Sequence, residues 1–280
     1  MTATHTRSAS APTARRRGRW PAVAAGLVAA LAVAGCGGGG QATPFVATRM
    51  LAFGDEASVI DSQGRKYTVN AVTTDTGAFS CGANPLWVQS LAARYSLVFA
   101  ECNPTGVASP ASRILAQPGA RAAGVKQQVD AFFAAGGPRE GDLATVMAGA
   151  NDVLDAYAQY PAVPIGTLVA QVIDAGKLLA GQVNRLAEGG ARVIVSTAID
   201  PTYAPFGRSR NAATQVVDCP RTQGETERKG LLECLTDRFN GAMRTTIIND
   251  GRRIGLVLGD ALVRDILQFP ASGGFINVAD

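Results

Sequence analysis

Apolar residues fall along this chain in blocks whose period changes repeatedly. Thr48-Arg49-Met50-Leu51-Ala52-Phe53 is a mostly apolar run that stops at Gly54-Asp55, as a buried strand does on meeting a turn. Residues 61–80 are rich in Gly, Thr, Ser and Asp and predict a surface excursion, with Tyr67-Thr68-Val69 as a small strand. From Pro85 to about Arg94, Leu86, Val88 and Leu91 mark a helix opened by its proline. Ser96 to Ala100 predicts a second strand of the main sheet. A proline-containing loop follows, and a helix over 124–135 places Val125, Val129, Phe132 and Phe133 together. Leu143 to Ala148 is continuously apolar, as a strand covered on both faces requires. Over 164–188, Ile165, Leu168, Val172, Leu179, Val183 and Leu186 recur at helical spacing until Gly189-Gly190 stops them. Arg192–Ser196 predicts a further strand, and a polar loop containing Cys219 leads into a helix over 225–250. Ile254–Leu258 predicts the last strand and 260–269 the last helix.

Strands alternating with helices imply βαβ units and a parallel sheet with helices on both faces. Ligands of such sheets gather where the strands end. Three segments fall there: Gly54-Asp55-Glu56, the stretch around Gly119, and Gly149-Ala150-Asn151-Asp152.

The first residues read as a targeting segment. Arg7, Arg15, Arg16, Arg17 and Arg19 precede an apolar run from Ala22 to Ala34, and the segment holds no acid. That run is shorter than the roughly 20 residues of a spanning helix. Leu31-Ala32-Val33-Ala34-Gly35-Cys36 resembles a lipobox, which implies cleavage before Cys36 and lipidation of its thiol. The expected organisation is a signal peptide over 1–35, a lipidated Cys36 with a glycine-rich tether to residue 47, and one domain over 48–280. The expected place is the cell envelope, anchored at the periplasmic side of the outer membrane, because Gly37 rather than an acid follows Cys36.

Discounting the leader changes the electrostatics. The net charge of +4 belongs to the whole chain; without the five leading arginines, 21 basic residues face 22 acids, or −1. Such a balance excludes a nucleic-acid footprint. The one histidine, His5, lies in the leader, so the remainder has no imidazole for acid–base or zinc chemistry. Beyond Cys36, the cysteines are Cys81, Cys102, Cys219 and Cys234, without Cys-x-x-Cys spacing. In an oxidising compartment an even number implies disulfides. Three pairings are open; the sequential one closes short loops worth roughly 3 kcal/mol each.

Several segments together resemble the GDSL (SGNH) hydrolases. Phe53-Gly54-Asp55 after a strand is similar to the turn that presents that family's nucleophile. Gln117-Pro118-Gly119-Ala120-Arg121 resembles its second block, and Gly149-Ala150-Asn151-Asp152 its Gly-x-Asn-Asp block. Asp200-Pro201-Thr202-Tyr203-Ala204-Pro205 and the stretch from Pro270 to Val278 resemble segments found later in the family. The resemblance spans residues 48–280 and extends to the passenger domains of autotransporter esterases. It implies a flavodoxin-like three-layer α/β sandwich with a parallel sheet, and hydrolysis of carboxylic esters. It places Gly119 and Asn151 at the oxyanion-hole positions.

The same resemblance exposes what differs. The family's serine nucleophile is replaced by Glu56, and the Asp-x-x-His block is not found before Asp280, so the domain reads as C-terminally truncated. Ser58, two residues on, points elsewhere from such a turn. The expectation is a catalytically inactive lipoprotein that binds the membrane through Cys36 and either takes an acyl or glycan-like ligand or acts structurally at the membrane. The alternatives are an esterase with atypical residues (Glu56, Asp55 or Asp152) and a non-functional fragment of a hydrolase gene. Those three carboxylates carry oxygens of the kind Ca²⁺ or Mg²⁺ takes. Capping of helices by Asp55 and Asp152, with Glu56 solvated, is the simpler expectation, so neither metal nor cofactor is expected.

Overall fold

The computed structural model describes residues 44–276 apart from 203, 211–214 and 222–223. The expectations for residues 1–35, for Cys36 with its tether through residue 43, and for Asn277-Val278 lie outside the described residues.

Five strands make one parallel sheet: β1 (Arg49–Gly54), β2 (Arg113–Ile114), β3 (Asp142–Met147), β4 (Arg192–Ser196) and, numbered in chain order after a hairpin described below, β7 (Ile254–Val257). Their spatial order is β2-β1-β3-β4-β7. Counted within the sheet alone that is 2-1-3-4-5, the flavodoxin-like winding. The fold class is therefore α/β with helices on both faces.

Side chains alternate across a strand, and β1 shows it directly. Leu51 and Phe53 face one hydrophobic cluster, Met50 and Ala52 the other. The first cluster is filled by α2 (Ala122–Ala134), α4 (Ile165–Glu188) and α6 (Leu231–Thr246). The second is thinner, built on α1 (Trp87–Arg94) with Ile60 and Phe99. Helices α4 and α6 approach closely at Gly176, where a Cβ would lie 2.4 Å from the Phe239 carbonyl oxygen. Three further helices lie among the described residues: α3 (Ala150–Ala158), α5 (Pro205–Ser209) and, after β7, α7 (Gly259–Gln268). No described helix is long and apolar enough to cross a membrane.

Three readings of the sequence are corrected, and one helix was missed. Ser96–Ala100 is not a strand of the sheet: Ser96 sits at φ +57, and only Phe99 makes isolated bridges, to Cys102 and Ser112. The edge is taken by Arg113 and Ile114, paired with Leu51 and Ala52, a ladder too short to leave a period in the sequence. Tyr67-Thr68-Val69 is no strand either; Tyr67 and Val69 are 74% and 70% exposed, and it is Lys66 that bridges to Ile60. The helix expected over 225–250 begins only at Leu231, because Thr226–Gly230 pairs as β6 with β5 (Val216–Pro220) in an antiparallel hairpin. Glu, Arg and Lys favour helix locally, and tertiary pairing overrides that weak preference. Finally, α3 was not foreseen from periodicity.

The disulfides take the sequential pairing, Cys81–Cys102 and Cys219–Cys234. The first ties the excursion before α1 to the loop before β2, and the second ties the hairpin to α6. The excursion has a second fastening. The Lys66 ammonium, in a side chain 6% exposed, donates to the carbonyls of Cys81, Ala83 and Asn84.

Candidate active site

The site is assembled at the C-terminal ends of β1 and β3. β1 ends at Gly54, whose φ of +134 carries the chain across β3; a Cβ there would lie 1.9 Å from the Met147 carbonyl oxygen. Only glycine tolerates both constraints. Gln128 of α2 clamps this peptide, accepting from Gly54 N–H at 2.9 Å and donating to Gly54 O at 2.8 Å. Asp55 then caps a single 3-10 turn, Glu56–Ser58, by accepting from Ala57 N–H at 3.1 Å.

Glu56 is not left to solvent. Its Oε2 accepts from the backbone N–H of Gly119 at 2.8 Å and from Asn151 Nδ2 at 3.1 Å, while Oε1 lies 3.3 Å from the same amide. The three residues singled out from sequence thus meet at one point. The expectation of a solvated Glu56 is corrected: the two donors are aimed at its carboxylate.

Each donor is held from behind. Gly119 sits at φ +70, and its carbonyl accepts from Arg121 Nη1 at 2.9 Å. Arg121 is itself locked by Asp155, through Nη2 to Oδ1 at 2.8 Å and through Nε to Oδ2. Asn151 is the second residue of α3, and its amide also donates to Ala120 O at 3.3 Å. The start of α3 is fixed by Gly149, at φ +117, where a Cβ would lie 2.3 Å from the Phe239 ring.

Two further carboxyls flank this contact. Burial pushes the Asp55 carboxyl up to about 7; the Ala57 N–H opposes this and the Glu56 charge adds to it. Burial likewise raises Asp152 to about 6, against the Ala122 N–H, which donates to it at 3.0 Å, and the Arg121 charge. Asp152 therefore caps α2 across a loop. Ser58 is fully buried and accepts from Trp87 Nε1 at 3.2 Å.

The open space beside Glu56 is small, about 150 Å³, with Tyr67, Met147, Ala148 and Ile199 among its walls. A larger cavity of about 540 Å³ lies between the β1–β2 edge and α2. It includes Gln128 and Gln117 but none of Glu56, Gly119 and Asn151. Among the described residues, no group of three or more His, Cys, Asp or Glu side chains is placed to hold a metal ion.

Sequence reasoning missed the residues that hold the site. Gln128 shares the buried face of α2 with Val125, Val129 and Phe132, and Asn240 lies beside Phe239 on α6. Asn240 clamps Ala198 at the end of β4 as Gln128 clamps Gly54, at 2.8 and 2.9 Å. A lone polar side chain on an apolar helix face was the available signal, since it is tolerated there only when hydrogen-bonded.

No protein-family model and no curated protein matches the chain. Among solved structures, an acetylxylan esterase from Geobacillus stearothermophilus is similar at 15% identity and a TM-score of 0.41, over 82% of this chain and 85% of that one. A variant of an acetyl-xylooligosaccharide esterase from Geobacillus gives 13% identity and 0.42 over the same shares. An alpha/beta hydrolase enzyme from the metagenome of Lake Arreo gives 16% and 0.40, over 79% of this chain and 83% of that one. These likenesses are loose, and the fold class rests on the strand order itself.

Proposed function

We propose that this chain is a catalytically inactive relative of the ester hydrolases, held at the cell envelope by lipid on Cys36. The observation that carries the reading is the Glu56 carboxylate bonded to Gly119 N–H and Asn151 Nδ2. In an acyl-transfer site two such donors stabilise the oxygen that becomes negative as the carbonyl is attacked. Here the chain's own Glu56 side chain occupies them before any substrate arrives. A substrate carbonyl would have to displace a charged group, and its developing oxyanion would be repelled by the carboxylate it displaced. The only histidine is His5, so no imidazole from residues 36–280 can take a proton from a nucleophile. A function of the retained shape as a binding surface for an acyl or glycan-like ligand is consistent with this chemistry.

A second reading, an esterase using carboxylates alone, draws on Asp55 and Asp152, whose raised pKa values lie near those useful for proton transfer. One assay separates the two. Purified protein incubated with p-nitrophenyl acetate should hydrolyse it no faster than buffer, and Glu56→Ser should remain inactive for want of a base. Turnover by the native chain that disappears in Glu56→Ala would overturn the first reading in favour of the second. For the anchor, labelled palmitate should enter the native chain and not Cys36→Ala; equal labelling of both refutes lipidation at that thiol.

A further inference from the structure

We propose that the end of this domain opposite the Glu56 site docks, through its arginines, on the anionic headgroups of a phospholipid surface.

The Glu56 site lies at the C-terminal ends of strands, so the strand starts and the helix C-termini that lead into them share the other end. That end comprises residues 44–49, 92–97, 135–142, 187–192 and 244–254. Their contacts hold them together. Arg49 is level with Asp142 in the sheet, Leu143 with Arg192, and Val193 with Ile254. Phe45 meets Tyr95 edge-on with ring centroids 6.5 Å apart, and the Arg192 guanidinium lies 5.7 Å over the Phe45 ring. These segments hold seven arginines against four acids, or +3. The rest of residues 36–280 holds 14 basic residues against 18 acids, or −4. The charge is thus polarised along the strands, although the sum is only −1.

Most of these arginines are not consumed by the fold. Among the described residues, Arg49 alone of the seven is in a salt bridge, with the buried Asp142. Arg192 donates to the Arg252 carbonyl, and Arg253 to the Ala187 carbonyl at 3.1 Å. Cations favour a helix C-terminus, which accounts for Arg253 at the end of α4. Arg94, Arg139, Arg244 and Arg252 are exposed, and no described residue bonds to their guanidinium groups. The acids other than Asp142 are Glu140, Glu188 and Asp250, all exposed. Asp250 accepts from the backbone N–H groups of Arg252 and Arg253 at 2.8 and 3.0 Å.

The place of this end in the chain selects its partner. Phe45 is nine residues past Cys36, a stretch that spans about 30 Å at most. Lipid on Cys36 would keep this end the nearer to a bilayer, and the docking role rests on that reading. Guanidinium groups fork onto phosphate oxygens. Each basic side chain within a Debye length of an anionic leaflet strengthens attachment. Docking in this way leaves the Glu56 site facing away from the bilayer.

Phe45–Asp280 is one compact unit with both hydrophobic clusters inside it. Residues 44–280 therefore test the surface without leader or lipid, and failure here is separate from failure to lipidate Cys36. This fragment should sediment with vesicles of phosphatidylglycerol and phosphatidylcholine in equal parts, but not with phosphatidylcholine alone, and added salt should release it. Arg139→Glu, Arg244→Glu and Arg252→Glu combined should weaken that binding about ten-fold or more. The same change of charge placed elsewhere, by Lys126→Glu, Lys177→Glu and Arg228→Glu combined, should weaken it far less. Circular dichroism establishes that each form is folded. Absence of binding, equal binding to phosphatidylcholine alone, or equal weakening by the two triple variants overturns the proposal. Tighter binding to polyglutamate than to the anionic vesicles overturns it too, in favour of an acidic protein.

Discussion

Glu56 does within the molecule what a bound anion would do from outside. One carboxylate satisfies a loop N–H and a helix-borne amide, and so joins the β1 turn, the Gly119 loop and the start of α3. Hydrogen bonds to a charged group are worth about 1.5–3 kcal/mol each way they are lost. Glu56→Ala should therefore lower the melting temperature and leave two donors facing an empty space. Acetate, compared with chloride at equal ionic strength, should then restore part of the loss in Glu56→Ala while leaving the native chain unchanged; indifference of the variant to acetate would show that the donors do not form an anion site. Asp55 acts on the pH axis. Its folded pKa of about 7 stands above the 3.8 of an ordinary aspartate. The proton is thus bound more tightly in the folded state, and stability falls as pH rises from about 4 to 7. Asp152, raised to about 6, works in the same direction. Asp55→Asn keeps an acceptor for Ala57 N–H and removes the ionisation. Its melting temperature should exceed the native value at pH 7.5, by something on the order of 2–4 kcal/mol in stability, and should fall less steeply between pH 4.5 and 7.5.

At the level of elements, the site is positioned by strand ends that glycine alone can form. Gly54 and Gly149 combine a positive φ with backbone or ring atoms where a side chain would begin. Gly149→Ala should cost about 3 kcal/mol or more, through both the strained backbone and the Phe239 ring. Calorimetry that shows a loss below 1 kcal/mol would mean that the start of α3 can shift freely. These turns were legible in the sequence, because an apolar run that stops at Gly-Asp or Gly-Ala-Asn leaves a local mark. The same is true of α4, whose apolar positions recur through six turns. The short elements left none. Arg113–Ile114 is a strand only because Leu51 and Ala52 lie beside it. The Thr226–Gly230 strand carries the helix-favouring Glu227, Arg228 and Lys229 at its centre, and Lys229 is held there by Glu227, Glu233 and Asp237. Gln128 and Asn240 were readable only as oddities on apolar faces; their partners, a strand-end glycine and Ala198, are 74 and 42 residues away.

At the scale of the molecule, neither described disulfide lies within the central sheet; one fastens the excursion before α1 and the other the β5–β6 hairpin. Cys219–Cys234 spans 15 residues and Cys81–Cys102 spans 21. Reduction should lower the melting temperature by an amount matching roughly 3 kcal/mol per bridge, and hydrogen exchange should quicken in 216–230 before it does in β1 or β3. Uniform loss of protection would instead make the bridges part of one cooperative unit. The Lys66 clasp adds a consequence for chemical footprinting. Its ammonium is surrounded by three carbonyls, and burial lowers its pKa, whereas the side chains of Lys126 and Lys177 are 49% and 58% exposed. An acylating reagent should modify those two within the first minutes and spare Lys66, so that the moment Lys66 becomes reactive marks the peeling away of the flap that carries Tyr67.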